Sequence, residues 1–441
     1  MTDVRAPVAG PAAAPLAAAP PSTRAGVTDA LVPAPRVPPA FGRPGARLAR
    51  RLGRRVRHGT LEFTDPDGTW RAGQGQPVVQ VQVHDRRAYA AFMLRGSEGL
   101  GESYMAGWWD ASDLTTVVRL ILRNLAGPID VLDRVGQAAS GPLDLVERLW
   151  PPSPASDRRN VQAHYDLTGD VFAVMLDETM SYSCAVFEDP AMDLAAAQRA
   201  KLDRLCTKLD LGPDDHLVEI GTGWGGLALH AASRYGCRVT TTTISDAQRQ
   251  VALERVGRAG LGDRVEVLDV DYRELTGTYD KLVSVEMIEA VDWRRHDAFF
   301  ATCGRLLKPD GLMALQAITI ADRSYERAKR HDDFIRRLIF PGGCLPSVSA
   351  LCRSATRSSE LRLVDLEDIG RHYATTLARW RVNFEAGWET VAAAGFDPSF
   401  RRLWNLYLSY CEGAFLERHI SDVQAVFAGP AWRGTLAPRR L

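Results

Sequence analysis

Ten residues, LVEIGTGWGG at Leu217–Gly226, set Glu219, Gly221, Gly223, Gly225 and Gly226 between an apolar run and the helical pattern that opens at Leu227-Ala228-Leu229. Glycine at such positions omits the Cβ that would hold a ligand away from the end of a strand. The first N–H groups of the following helix then face the ligand's polar groups. Strand, glycine turn and helix in this order make the first unit of a nucleotide-binding, doubly wound fold.

Two ligand chemistries fit that turn. The spacing E-x-G-x-G-x-G over Glu219, Gly221, Gly223 and Gly225 suits S-adenosylmethionine, while Gly221, Gly223 and Gly226 also satisfy the dinucleotide pattern G-x-G-x-x-G. A dinucleotide site needs an acid at the end of the next strand. Here Arg238–Thr243 runs instead into Ile244-Ser245-Asp246-Ala247-Gln248. The residues alone favour a methyl donor and leave open a nicotinamide cofactor or a glycine turn with no ligand.

Other chemistries lack their parts. There is no G-x-S-x-G, which disfavours a serine-nucleophile lipid hydrolase. The seven cysteines, at 184, 206, 237, 303, 344, 352 and 411, form no C-x-x-C and no metal-ligand spacing. Neither a disulfide framework nor a metal site is expected, and a reducing cytosol is favoured. Lys+Arg and Asp+Glu both number 54, so no global nucleic-acid signal exists. No apolar run approaches the length of a membrane span, and the N-terminus has no continuous apolar signal region.

The elements that must position the glycine turn lie in three tracts. Residues 1–57 read as a tail: an Ala/Pro-rich stretch to residue 42, expected to be disordered, then an arginine-rich segment, RPGARLARRLGRRVRH at Arg43–His58. Leu48, Leu52 and Val56 recur every four residues there and predict one apolar stripe on a cationic helix. That pattern suits a solvated charge run or a helix lying on anionic lipid. Residues 58–150 alternate apolar and polar at Leu61-Glu62-Phe63 and Val78–Val83, with a turn at Asp65–Gly68, and predict a small α+β domain. Pro151-Pro152-Ser153-Pro154 marks a linker. Residues 156–441 carry a helix with Ala195, Ala196, Leu202, Leu205 and Leu209, then strands at Val265–Leu268, Lys281–Val285 and Leu312–Ile318. Strands alternating with helical patterns predict α/β architecture with a doubly wound, Rossmann-like methyltransferase sheet.

Several motifs in order resemble the cyclopropane-fatty-acyl-phospholipid synthases and mycolic acid cyclopropane synthases. They are His164-Tyr165-Asp166-Leu167, Met180–Ala185 (MSYSCA), Glu219–Gly226, Thr243-Ile244-Ser245 with Gln248, Ser284–Val291 (SVEMIEAV), Ile339–Val348 (IFPGGCLPSV) and Tyr373–Leu377. The resemblance covers about residues 160–428, and residues 59–125 also look like the small domain of the phospholipid-acting branch. It implies S-adenosylmethionine held by Tyr182, Ser183, Glu219, Gly221, Gly223, Gly225, Ile244, Gln248, Asp271 and Tyr272. It further implies a bicarbonate ion as the active-site base, bound through backbone groups of Cys184 and Ile318 and side chains of Glu289 and Tyr373. Gln316 stands where the family usually has histidine, and Glu286 where many members have glycine. For Glu286 the plainer expectation is an exposed acid at a helix start, although a helix would bring it to the same side as Glu289.

The implied activity is methyl transfer to the cis double bond of unsaturated phospholipid acyl chains, forming cyclopropane fatty acids without a metal. A methylene-branched product, reduced by a separate enzyme, shares the first step. A lipid-binding module that has lost catalysis is the reading from another class. The implied partner is unsaturated phospholipid at an anionic membrane surface, with the protein cytoplasmic and peripheral on the inner face. A homo-oligomer is compatible with the resemblance, and nucleic acid is not expected.

Overall fold

The computed structural model describes residues 37–124, 169–330 and 333–436. The motif His164–Leu167, the linker Pro151–Pro154 and the Ala/Pro stretch up to residue 36 lie outside the described residues.

The arginine-rich segment forms helix α1 (Gly42–Gly53), but not with the packing its leucine spacing predicts. Val56 falls beyond the helix, Leu48 is exposed and Leu52 half-buried. The buried side consists of Gly42, Gly45, Ala46 and Gly53. A Cβ on Gly45 would sit 2.9 Å from the Ala90 nitrogen, and one on Gly53 2.8 Å from the Trp70 ring. Small residues therefore let α1 approach helix α2 (Arg87–Met105) and the strand beneath it. Val37 is buried against Ala90 and Ala91, so the expectation of disorder up to residue 42 fails for residues 37–42.

A four-stranded sheet follows, in the order β2-β1-β3-β4, from β1 (Gly59–Asp65), β2 (Gly68–Gln74), β3 (Val78–Val83) and β4 (Trp109–Ala111). Residues of β3 alternate exposed and buried along their whole length, as the VVQVQV pattern predicts. Helix α3 (Leu114–Asn124) closes this part.

The larger part begins with α4 (Leu194–Lys208) and β5 (His216–Ile220). Next come α5 (Gly226–Tyr235), β6 (Arg238–Thr242), α6 (Asp246–Arg258), β7 (Val265–Leu268), β8 (Tyr279–Val285), α7 (His296–Leu306) and β9 (Leu307–Ile320). Helix α8 (Val348–Ser358), β10 (Arg362–Asp368), α9 (Gly370–Ala386), α10 (Pro398–Leu416) and β11 (Ile420–Ala428) complete it. The seven strands lie in the order β10-β11-β9-β8-β5-β6-β7. β5 to β9 pair in parallel, and β11 runs antiparallel to both β9 and β10. The fold is therefore the Rossmann-like α/β sheet expected. From β5 the chain winds outward to β6 and β7 on one side, and to β8 and β9 on the other. Such a reversal opens a crevice beyond the carboxyl ends of the central strands.

α10 joins the two sheets. Its Arg402 donates to the carbonyls of Tyr104 and Trp109 at 2.7 and 2.8 Å, and Glu417 just past its end pairs with Arg119 and Arg123 of α3. One apolar cluster runs from Val79 and Trp109 through Phe172 and Trp404 to Tyr373.

Candidate active site

Gly221, Gly223 and Gly225 all have left-handed backbones, with φ of 101°, 50° and 84°, which L side chains rarely adopt. No heavy atom lies within 4 Å of the Cβ position of Gly223, so the strand end faces open space. Gly226 serves differently: a Cβ there would meet the Thr179 carbonyl oxygen at 2.6 Å. Its absence brings the segment holding Tyr182, Ser183 and Cys184 against the start of α5.

Glu219 braces this turn from beneath. Its carboxyl is buried and accepts from the Thr241 hydroxyl at 2.6 Å; Thr241 also bonds Thr222 at 2.7 Å. Burial pushes the Glu219 carboxyl up to about 8. The spacing groups Glu219 with the donor-binding residues, and the fold turns its carboxyl to Thr241. At the end of β6, Thr243 donates to the Gln248 carbonyl oxygen at 2.9 Å and orients that amide, while Ser245 caps α6. Ile244 between them is half-buried. Past β7, Asp271 accepts from the Arg273 backbone and guanidinium, and the buried Tyr272 hydroxyl has no partner among the described residues. Open space over Gly223, an oriented amide and an unpartnered hydroxyl fit S-adenosylmethionine.

Two residues that sequence reasoning missed hold the Tyr182–Ser183 segment. Gln198 donates to the Ser183 carbonyl at 2.8 Å, and Lys201 donates to the Ser183 hydroxyl at 2.8 Å. Both side chains are buried in α4. They fall on its inner stripe with Leu194, Ala197, Leu202 and Leu205, where Ala195 and Ala196 were expected. A glutamine and a lysine at apolar-stripe spacing were the available signal. Burial lowers the Lys201 pKa, countered foremost by the charge of Glu286.

The second cluster departs from expectation at its centre. The Cys184 N–H donates to Glu286 Oε1 at 2.8 Å, the Gln316 amide donates to the same oxygen at 2.7 Å, and the Tyr373 hydroxyl donates to Oε2 at 2.5 Å. Ile318 N–H is taken by Glu289 Oε1 at 2.5 Å. The donors expected around bicarbonate therefore close on two side-chain carboxyls. A free bicarbonate does not fit this donor set, because Glu286 already fills it. Glu286 is not an exposed helix-start acid: it follows β8 with φ of 48°, and the turn after it is a 3₁₀ helix at Ile288–Ala290. A non-glycine residue held there costs about 1–3 kcal/mol, which the three donors offset.

The rest of the cluster keeps its neighbours neutral. Burial, then the charge of Glu286, pushes Glu289 up to about 8, and its Oε2 has no partner among the described residues. Burial first, then Glu286, raises the Tyr373 phenol well above its usual value, so it remains a donor. Burial likewise raises the Cys184 thiol, which excludes a thiolate nucleophile. Gln316 does not stand in for a charged histidine; it bridges, with Gln424 of β11 holding its carbonyl oxygen at 3.0 Å. Tyr373 is placed by α9, whose Gly370 allows close approach to Ser421. The IFPGG turn contributes a clamp, Cys344 N–H to the Glu289 carbonyl at 2.7 Å.

Aromatic rings wall the cluster. Tyr182 lies 5.2 Å from Trp380 between ring centroids and 6.4 Å from Phe340, and shares a hydrogen bond of 2.7 Å with Tyr407. Tyr373 stacks on Phe415 at 4.5 Å. Such walls exclude water, accept an apolar chain and favour a passing cation through their π faces.

Comparison with known proteins agrees in kind. The family model of mycolic acid cyclopropane synthetase matches residues 153–425. A tuberculostearic acid methyltransferase of Mycobacterium tuberculosis is 40% identical, covering 90% of this chain and 93% of its own. A cyclopropane-fatty-acyl-phospholipid synthase of Escherichia coli is 37% identical, covering 83% and 95%. Among solved structures, a mycolic acid cyclopropane synthase in complex with SAH and CTAB superposes with a TM-score of 0.58 at 31% identity, covering 62% of this chain and 98% of that one.

Proposed function

The chain belongs to the mycolic acid cyclopropane synthetase family of S-adenosylmethionine-dependent methyltransferases, and from that premise we propose that it alkylates the cis double bond of unsaturated phospholipid acyl chains, with Glu286 as the base. The convergence of Cys184, Gln316 and Tyr373 on the Glu286 carboxylate carries this reading.

Bound S-adenosylmethionine supplies an electrophilic methyl group on a sulfonium. The chain's own residues do the rest. Gly221, Gly223 and Gly225 give the donor room, and Gln248 and Tyr272 offer it polar partners. The aromatic wall holds the acyl chain in line and keeps water away. As the alkene's π electrons form the new C–C bond, the methyl–sulfur bond breaks with its electron pair left on the sulfur, and a positive charge appears on the neighbouring acyl carbon. Glu286 then takes a proton from the added methyl, and the released C–H electron pair closes the three-membered ring. A carboxylate so placed acts as a general base. The relative solved with SAH and CTAB supports both the donor class and a long-chain ligand.

A second product follows from one observation. Glu286 accepts three hydrogen bonds, which spread its charge and slow proton removal. A hydride shift before deprotonation then gives a methylene branch, which a separate reductase would convert to a methyl. A tuberculostearic acid methyltransferase among the relatives is in keeping with this reading. No helix among the described residues is long and apolar enough to cross a membrane. We place the protein in the cytoplasm, peripheral on the inner face of the membrane, where anionic lipid meets α1.

The test is incubation with methyl-labelled S-adenosylmethionine and vesicles of oleoyl phospholipid, followed by NMR of the extracted acyl chains. High-field ring protons are expected. Exocyclic vinyl protons in their place would select the methylene branch, and no transfer despite donor binding would reduce the protein to a lipid-binding module.

A further inference from the structure

Asp422 adjoins this site with far less support than Glu286. It lies in β11 opposite Ile318 of β9, and is 0% exposed. Its Oδ2 accepts one N–H from Gln316 at 3.2 Å, and its Oδ1 has no hydrogen-bond partner among the described residues. The same Gln316 nitrogen donates to Glu286, so one amide bridges two carboxyl groups. Gln424 fixes the far side of that amide, so the bridge cannot turn over.

Charge decides between the two carboxyls. The titratable groups facing Asp422 are Glu286 and Glu289 beyond β8, Cys184, Tyr373 of α9 and Lys201 of α4. Cys184 and Tyr373 are kept neutral by burial, which leaves Lys201 as the single cation among them. One buried cation balances one carboxylate, and adjacent buried carboxyls do not both ionise. Glu286 has three donors; Asp422 has one and a bare oxygen. We propose that Asp422 is held as a neutral carboxylic acid, the proton-carrying partner of Glu286, and that through Gln316 it positions Glu286 as the ionised base. Its unpartnered oxygen is then no longer the uncompensated end of a buried anion. Burial, then the charges of Glu286 and Glu289, raises the Asp422 carboxyl well above its ordinary range, in the same direction. The positioning role rests on Glu286 being the base; the protonation of Asp422 does not.

Asp422→Asn, a near-isosteric neutral side chain, tests both halves. A proton held by the fold and released on unfolding makes stability fall as pH rises above the ordinary carboxylate range. Thermal unfolding of the full chain should therefore show a Tm advantage of Asp422→Asn over wild type that widens from about pH 5 to about pH 8. A gap that stays flat or narrows means the carboxyl is ionised in the fold and overturns the proposal. In the labelled-donor assay, Asp422→Asn should keep more than about a tenth of wild-type kcat with donor KM unchanged, whereas Asp422→Ala falls at least about tenfold further. If Asp422→Asn is as damaging as Glu286→Gln, Asp422 is itself the charged group and the proposal fails. If Glu286→Gln keeps full turnover, the reading of Glu286 as base fails, while the Tm comparison still decides the state of Asp422.

Discussion

Glu286 keeps a carboxylate at a backbone position that glycine would occupy without strain, and removing it should expose what it replaced. In Glu286→Gly the Cys184 N–H, the Gln316 amide and the Tyr373 hydroxyl lose their common acceptor. Turnover should fall by about 10²–10⁴-fold, the usual contribution of a positioned base. Added bicarbonate or formate should restore part of it, since either presents oxygens to the freed donors. The wild-type enzyme should not respond to the same additions. Stimulation of the wild type by bicarbonate would return the role of base to a bound anion.

At the scale of an element, α1 shows why the pattern of a helix and its packing can diverge. Its glycines and alanine face inward, so Leu48 stays outside among Arg47, Arg51 and Arg55, with Phe41 close by in sequence and also exposed. Arg47, Leu48 and Arg51 recur at helical three- and four-residue spacing and share one side, and Arg55 follows just past the end of the helix. Near an anionic surface each such cation is worth about 1 kcal/mol. Arg47→Glu, Arg51→Glu and Arg55→Glu combined should therefore weaken co-sedimentation with anionic vesicles, most at low salt, with donor affinity unchanged. Equal binding of the two proteins at low salt would move docking to another surface. Deleting residues 1–57 is a poorer probe. It would also remove the pair between Arg50 and the buried Asp65 and the packing of Gly53 on Trp70.

Over the whole molecule, buried acids set the pH response. Glu219 and Glu289 titrate near 8 in the fold, so each keeps a proton that the unfolded chain loses above about 4.5. Their contribution is complete below that range and is lost as pH rises towards 8, by at most about 1.4 kcal/mol per unit for each group. Histidines 216, 230, 296, 372 and 419 have lowered pKa values through desolvation and oppose this trend only below about 6.5. Tm should therefore decline between about pH 6.5 and pH 8. Glu219→Gln should flatten that decline if it does not disturb the bond to Thr241. A Tm that rises through this interval would mean these acids are ionised in the folded chain.

The sequence by itself determined the glycine turn, the alternation of strands and helices, and the order of motifs that identifies the family. Each is local: a left-handed turn needs glycine, and a buried strand needs a run of apolar residues. The identities of the donors Cys184, Gln316 and Tyr373 were legible for the same reason, through motif positions. What they bind was not. Glu286 and Glu289 are three residues apart, and only the left-handed turn after β8 sends the first carboxyl to Cys184 and Tyr373 and the second to Ile318. Lys201 and Asp422 reach the site from α4 and β11, about 85 residues before and 136 after Glu286 in the chain. Their meaning comes from shared burial with one amide and one cation. Burial sets the cost of each charge, and only the tertiary structure decides which residues share it.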